Sequence, residues 1–180
     1  MQILIFLLMS LLNTSNGTLE IDFGKDKDGQ DWRIVNDGVM GGLSKGFGNL
    51  DEDAMLFKGE VSLENNGGFS SLRSPYQDFD LSMYEKVVIR LKAKGQILAF
   101  TMNVDQRWYK PYFKQQIKVD GDDWQVVELP FSEFETYRIG DQIDYDFSEV
   151  DAKKVIRIGL ITDSKKAGAF EAEIDYIKFE

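Results

Sequence analysis

Apolar side chains return at every second position along most of this chain, and no stretch sustains a 3.6-residue repeat over three turns. A period of two places successive side chains on opposite faces of a strand. In Lys86 to Ala93, one face carries Val87, Ile89, Leu91 and Ala93, and the other Lys86, Arg90 and Lys92. Leu98, Phe100, Met102 and Val104 share a face. Tyr109 to Val119 sets Tyr109, Pro111, Phe113, Ile117 and Val119 opposite three lysines. Val127, Leu129 and Phe131 repeat the pattern, as do Ile156, Ile158 and Leu160, then Phe170, Ala172, Ile174 and Tyr176. The phase slips at Ile177, which predicts a bulge or a strand end. Roughly nine or ten short strands with varied loops predict an all-β jelly-roll sandwich with Greek-key wiring. One short helix is expected, with Ser132 as N-cap and Glu135 closing a capping box. No internal repeat or linker divides residues 18–180, which read as a single domain.

Composition removes whole classes of chemistry. The 180 residues include no cysteine and no histidine. Disulfides, thiolate or imidazole zinc sites, cysteine nucleophiles and histidine-based triads are therefore excluded. With 31 acidic against 21 basic residues, the net charge is −10. That field opposes binding of nucleic acid through its phosphates. Ile3 to Leu12 is apolar apart from Ser10, too short to span a bilayer but suited to the core of a secretory signal. Ser15-Asn16-Gly17 supplies small residues for cleavage. Residues 1–17 thus read as a signal peptide, which implies a periplasmic or secreted protein; without that signal the chain would be cytoplasmic.

Two glycine-rich stretches stand out, Asn36 to Ser44 and Ser62 to Arg73. Neither opens a helix, so neither is a phosphate loop. Gly38, Gly41, Gly42, Gly67 and Gly68 fit tight turns or close backbone approach. On such stiff loops, Asp37, Met40, Ser44, Glu64, Asn65, Asn66 and Arg73 are candidates for contact with a ligand or partner. Glu64 and Arg73 are also each other's candidate partner if buried.

These two stretches resemble the signature segments of the CIA30 family, the NADH:ubiquinone oxidoreductase complex I intermediate-associated protein 30 domain. Trp32 just upstream, Trp124 to Phe134 with its Pro-Phe turn, and Ile158-Gly159-Leu160 followed by Gly168-Ala169-Phe170 and Glu173-Ile174 extend the resemblance over about residues 20–180. The resemblance implies a galactose-binding-like jelly roll, akin to carbohydrate-binding modules, and a link to assembly of respiratory complex I. It implies no catalytic residues. The chain departs from the family pattern at Tyr137-Arg138-Ile139-Gly140, which splits an Arg-Gly pair, and at its start, where an Arg-rich transit peptide is absent.

Paired carboxylates are the remaining catalytic chemistry, with Asp37, Glu60, Glu64, Asp105 and Glu128 as candidates. Asp26, Asp28 and Asp31 form half of a calcium-type loop, and the acids between Asp141 and Asp151 are a second acidic turn; structural calcium is the one cofactor to consider. Around Arg107 to Lys114, Trp108, Lys110, Tyr112, Lys114 and Lys118 alternate with core-facing positions. Aromatic rings interleaved with amines suit stacking on sugars or anchoring an interface. The sequence therefore favours a non-enzymatic binding or assembly module that holds a protein partner. The alternative is an extracytoplasmic carbohydrate-binding module, or less readily a carboxylate-dependent glycan enzyme.

Overall fold

A computed structural model describes residues 18–180. The segment read as a signal peptide lies outside the described residues. Thirteen strands follow in order: β1 (Leu19–Asp22), β2 (Arg33–Asn36), β3 (Lys45–Leu50), β4 (Met55–Val61), β5 (Ser70–Arg73), β6 (Lys86–Lys94), β7 (Leu98–Asn103), β8 (Tyr112–Ile117), β9 (Gly121–Pro130), β10 (Glu135–Arg138), β11 (Asp141–Ile143), β12 (Arg157–Thr162) and β13 (Gly168–Phe179). They form two antiparallel sheets. One has six strands in the order β3-β4-β13-β6-β9, with β1 also paired to β13. The other has seven in the order β11-β10-β8-β7-β12-β5-β2. Sequential neighbours β5, β6 and β7 alternate between sheets, so the wiring is a jelly roll and not a meander. Among the described residues, no helix is long and apolar enough to cross a membrane.

The core lies between the sheets and is built from the alternating positions. Val87, Ile89 and Leu91 of β6 meet Phe100 and Met102 of β7, Phe113 and Ile117 of β8, and Ile158 and Leu160 of β12, all fully or nearly fully buried. Burial of such side chains contributes roughly 1.5–3 kcal/mol each. The phase slip near the C-terminus is a β-bulge: the register of β13 against β6 shifts between Ile174 and Tyr176, which turns Ile177 and Phe179 back into the core. On the outer face of the six-stranded sheet, unlike charges oppose one another across strands. Lys92 pairs with Glu173 at 3.0 Å, Lys86 with Glu128 at 3.0 Å and Lys178 with Glu20 at 3.4 Å.

Two local expectations are corrected. Ser132 does not cap a helix. Phe131–Glu133 is a single 3₁₀ turn preceded by Pro130, without a side-chain cap, and Glu135 belongs to β10. Phe131 and Phe134 both drop into the core, and that packing overrides the local capping signal. The capping box stands instead at Ser148 and Asp151, opening the short α1 (Glu149–Ala152). The Asp151 carboxylate accepts from the Ser148 backbone at 3.1 Å and from the Tyr145 hydroxyl at 2.9 Å. The second correction concerns β8, which begins at Tyr112, so Tyr109 and Pro111 precede the strand.

Candidate functional site

The two glycine-rich stretches close on one buried carboxylate. Asp37 has no exposed surface. It accepts from the Ser44 backbone at 3.0 Å, the Ser44 hydroxyl at 2.5 Å, the Gly68 backbone at 2.6 Å and the Phe69 backbone at 3.2 Å. Burial pushes this carboxyl up, but the hydrogen bonds from Ser44, Gly68 and Phe69 outweigh it and hold the group below the ordinary carboxylate range. The glycines divide into two kinds. Gly41 and Gly68 have φ of +92° and +146°, where a side chain is strained. Gly42 and Gly67 are needed for close approach: a Cβ on Gly42 would lie 2.4 Å from the Asp37 carboxyl carbon, and one on Gly67 2.8 Å from its Oδ2. Gly38 has neither constraint.

Asp37 and Ser44 therefore spend their hydrogen-bonding capacity inside the protein and tie the loops together. The loop surface is apolar. Val39, Met40, Leu43 and Leu63 are 75%, 63%, 49% and 48% exposed. Glu64, Asn65 and Asn66 form an exposed 3₁₀ turn, with Asn65 and Asn66 at φ of 55° and 60°. The expected Glu64–Arg73 pair does not form among the described residues. The Arg73 Nε instead donates to the hydroxyl of Ser71, two residues back on the same strand, at 2.9 Å.

A second cluster occupies the outer face of the seven-stranded sheet. Strand pairing aligns Tyr137 with Tyr112, Tyr112 with Asn103, and Asn103 with Arg157. The next row aligns Lys114 with Thr101, Thr101 with Gly159, Gly159 with Arg73, and Arg73 with Arg33. Lys114 is not the solvated lysine that its alternation implied. It is buried, its ammonium lies 2.6 Å from Asp163 and 3.8 Å from the Tyr137 ring centre, and Gln116 donates to the same carboxylate at 2.8 Å. The Arg157 guanidinium lies over Tyr76, 3.4 Å from its ring centre. Tyr112 and Tyr137 sit with ring centres 6.0 Å apart. Burial, reinforced by Asp163, pushes the Tyr112 phenol up, opposed by Arg73. Both phenols thus remain neutral hydrogen-bonding groups at physiological pH.

Arg73 and Tyr112 are the sequence-predicted residues that this face brings together. Trp108 and Lys110 lie on the loop joining β7 and β8, at the rim. There Trp108 is 73% exposed and packs edge-on against Tyr109 at 6.0 Å. The same loop touches Tyr76, whose hydroxyl approaches the Gln106 carbonyl at 3.5 Å. Tyr76, Asn103, Tyr137, Arg157 and Asp163 are not among the site candidates read from sequence, although Arg157 alternates with Ile156, Ile158 and Leu160 and so faces outward. The outward phase of β7, β10 and β12 was the available signal.

The other candidates are dispersed. Glu60 and Glu128 lie on β4 and β9, separated by two strands. Asp105 is engaged by Arg107 through two contacts of 2.9 and 2.6 Å, which hold its carboxyl far below the ordinary range. Asp28 accepts from the Asp22 backbone at 3.0 Å within a turn. Among the described residues, no group of three or more acidic side chains, those of Asp26, Asp28 and Asp31 included, is arranged to hold a metal ion. Clefts of about 310 and 400 Å³ flank Trp32, away from the Tyr112–Arg157 row.

The family model described as Complex I intermediate-associated protein 30 (CIA30) matches residues 21–174. The chain belongs to the CIA30 family. No curated protein matches it significantly. Among solved structures, this CIA30 chain is similar to the family 11 carbohydrate-binding module of the cellulosomal cellulase Lic26A-Cel5E of Clostridium thermocellum. The identity is 18% and the TM-score 0.65, with 89% of this chain and 93% of that one covered. The family 11 module from the same organism in complex with a β-1,3-1,4-mixed-linked tetrasaccharide matches with the same identity and TM-score, covering 89% and 94%. An agarase matches at 13% identity and a TM-score of 0.55, over 91% of this chain and 25% of that one. These likenesses show that the chain has a jelly-roll fold of the kind seen in carbohydrate-binding modules.

Proposed function

We propose that the chain is a non-catalytic binding module that holds a glycan on the outer face of its seven-stranded sheet. The observation that carries this reading is the Tyr137–Tyr112–Asn103–Arg157 row, in which two adjacent phenol rings are followed by an amide and a guanidinium. Such a surface matches a pyranose, which offers C–H faces to rings and a rim of hydroxyls to polar groups. The family 11 module solved with a mixed-linked tetrasaccharide has the same fold, which supports the choice of ligand class. The dispersal of Glu60, Asp105 and Glu128, and the sealing of Asp37, favour binding over hydrolysis. An export signal at residues 1–17 is consistent with an extracytoplasmic glycan.

Glycan-array screening followed by titration calorimetry tests this reading. Retained binding is expected, with Tyr112→Ala lowering affinity by about tenfold or more, in line with the loss of one stacked ring. An array without a binder, from folded protein, overturns it.

A second reading rests on the exposed tip formed by Val39, Met40, Leu43 and Leu63. Apolar side chains on loops made rigid by Asp37 suit a protein partner, as an assembly role in the CIA30 family requires. Met40→Asp abolishing co-purification of a membrane complex, with glycan binding intact, is the outcome that favours it.

A further inference from the structure

Arg73 and Arg157 are anomalous in this protein. The chain has ten more acidic than basic residues, and on the outer face of the other sheet Lys86, Lys92 and Lys178 are met by carboxylates. Arg73 and Arg157 lie on adjacent strands, one register step apart on one face. Among the described residues, neither forms an ion pair. The Arg157 Nε is buried and has no hydrogen-bond partner. Other carboxylates of this sheet and its loops are committed elsewhere: Asp163 to Lys114 and Gln116, Glu135 to the Tyr137 hydroxyl, Asp105 to Arg107. Burial and the charge of Arg157 both push the Arg73 guanidinium down. Two like charges held side by side and partly desolvated are costly unless an anion completes the site. Gly159, paired with Arg73, carries no side chain, and a Cβ there would lie 2.5 Å from the Leu72 carbonyl oxygen.

We propose that Arg73 and Arg157 form a carboxylate-binding subsite, and that the ligand of this face is an acidic glycan containing uronic acid units. The inference rests on the glycan reading above and narrows it to a charge class. Guanidinium forks bind carboxylates in paired, charge-assisted hydrogen bonds, and the neighbouring phenol rings take the sugar face.

The test uses hexamers of galacturonate, mannuronate, guluronate and glucuronate, each paired with its neutral carboxyl-reduced form, with hexaglutamate as a peptide control. At low salt, at least one uronate is expected to bind roughly tenfold tighter than its reduced form, the discrimination one charge-assisted contact supplies. Arg157→Gln and Arg73→Gln should each reduce that ratio to about two, with thermal midpoints confirming folding, while Arg157→Lys retains part of it. Reduced forms binding as tightly as uronates overturn the acidic-glycan inference and leave the glycan face standing. A preference that survives both glutamine variants overturns the subsite. Hexaglutamate binding as tightly as the best uronate overturns the sugar assignment. Binding of none of these sugars overturns the acidic-glycan inference, while the glycan array decides the glycan reading separately.

Discussion

The Asp37 carboxylate and the Arg157 guanidinium are both drawn out of water, yet the first meets four donors and the second leaves its Nε without an acceptor. The difference separates structure from recognition. A charge satisfied from within fixes the loops that satisfy it, whereas a charge left open is a cost that binding can recover. The glycine-rich loops hold the signature segments of the family, yet their polar centre is sealed. The sheet face has no such signature in sequence and leaves the Arg157 Nε without a partner.

The contrast breaks if Asp37 proves dispensable. Asp37→Ala strands three backbone N–H groups and a hydroxyl, and should cost about 3–5 kcal/mol, read as a fall in the urea midpoint. Gly42→Ala drives a methyl against the Asp37 carboxyl at 2.4 Å and should cost about 2–3 kcal/mol. Gly41→Ala meets open space but at φ of +92°, and should cost about 1 kcal/mol. Equal effects at Gly41 and Gly42 would refute the assignment of one to backbone conformation and the other to close approach.

Acid sharpens the same comparison. Because the Asp37 carboxyl sits below its unfolded value of about 3.9, its stabilisation is present above that pH and is lost as the pH falls toward the folded value. Wild-type melting should therefore show an acid-dependent loss in that window that Asp37→Asn lacks. At the rim of the proposed glycan face the expected effect on stability is smallest. Trp108→Ala, at 73% exposure, should shift the midpoint by less than about 0.5 kcal/mol. A larger loss would mean that Trp108 supports the fold.

Legibility followed the same division. The alternation of Val87, Ile89, Leu91 and Ala93 predicted their burial, because strand geometry ties every second residue to one face whatever lies beyond it. The glycine loops were legible because tight geometry requires glycine. Lys114 was misread: its position is outward, yet Asp163, 49 residues away in sequence, reaches over it. Ser132 carried a valid capping pattern that the burial of Phe131 and Phe134 overrode.

By itself, the amino-acid order determined that this chain forms sheets, which side of each strand faces inward, and which loops are tightly turned, since these depend on near neighbours. The folded molecule alone decided that Tyr76, Arg73, Asn103, Tyr112, Tyr137 and Arg157 share one surface. Five of them come from β5, β7, β8, β10 and β12, of which only β7 and β8 are consecutive, and Tyr76 comes from the loop after β5. Only the pairing of the whole sandwich sets the register.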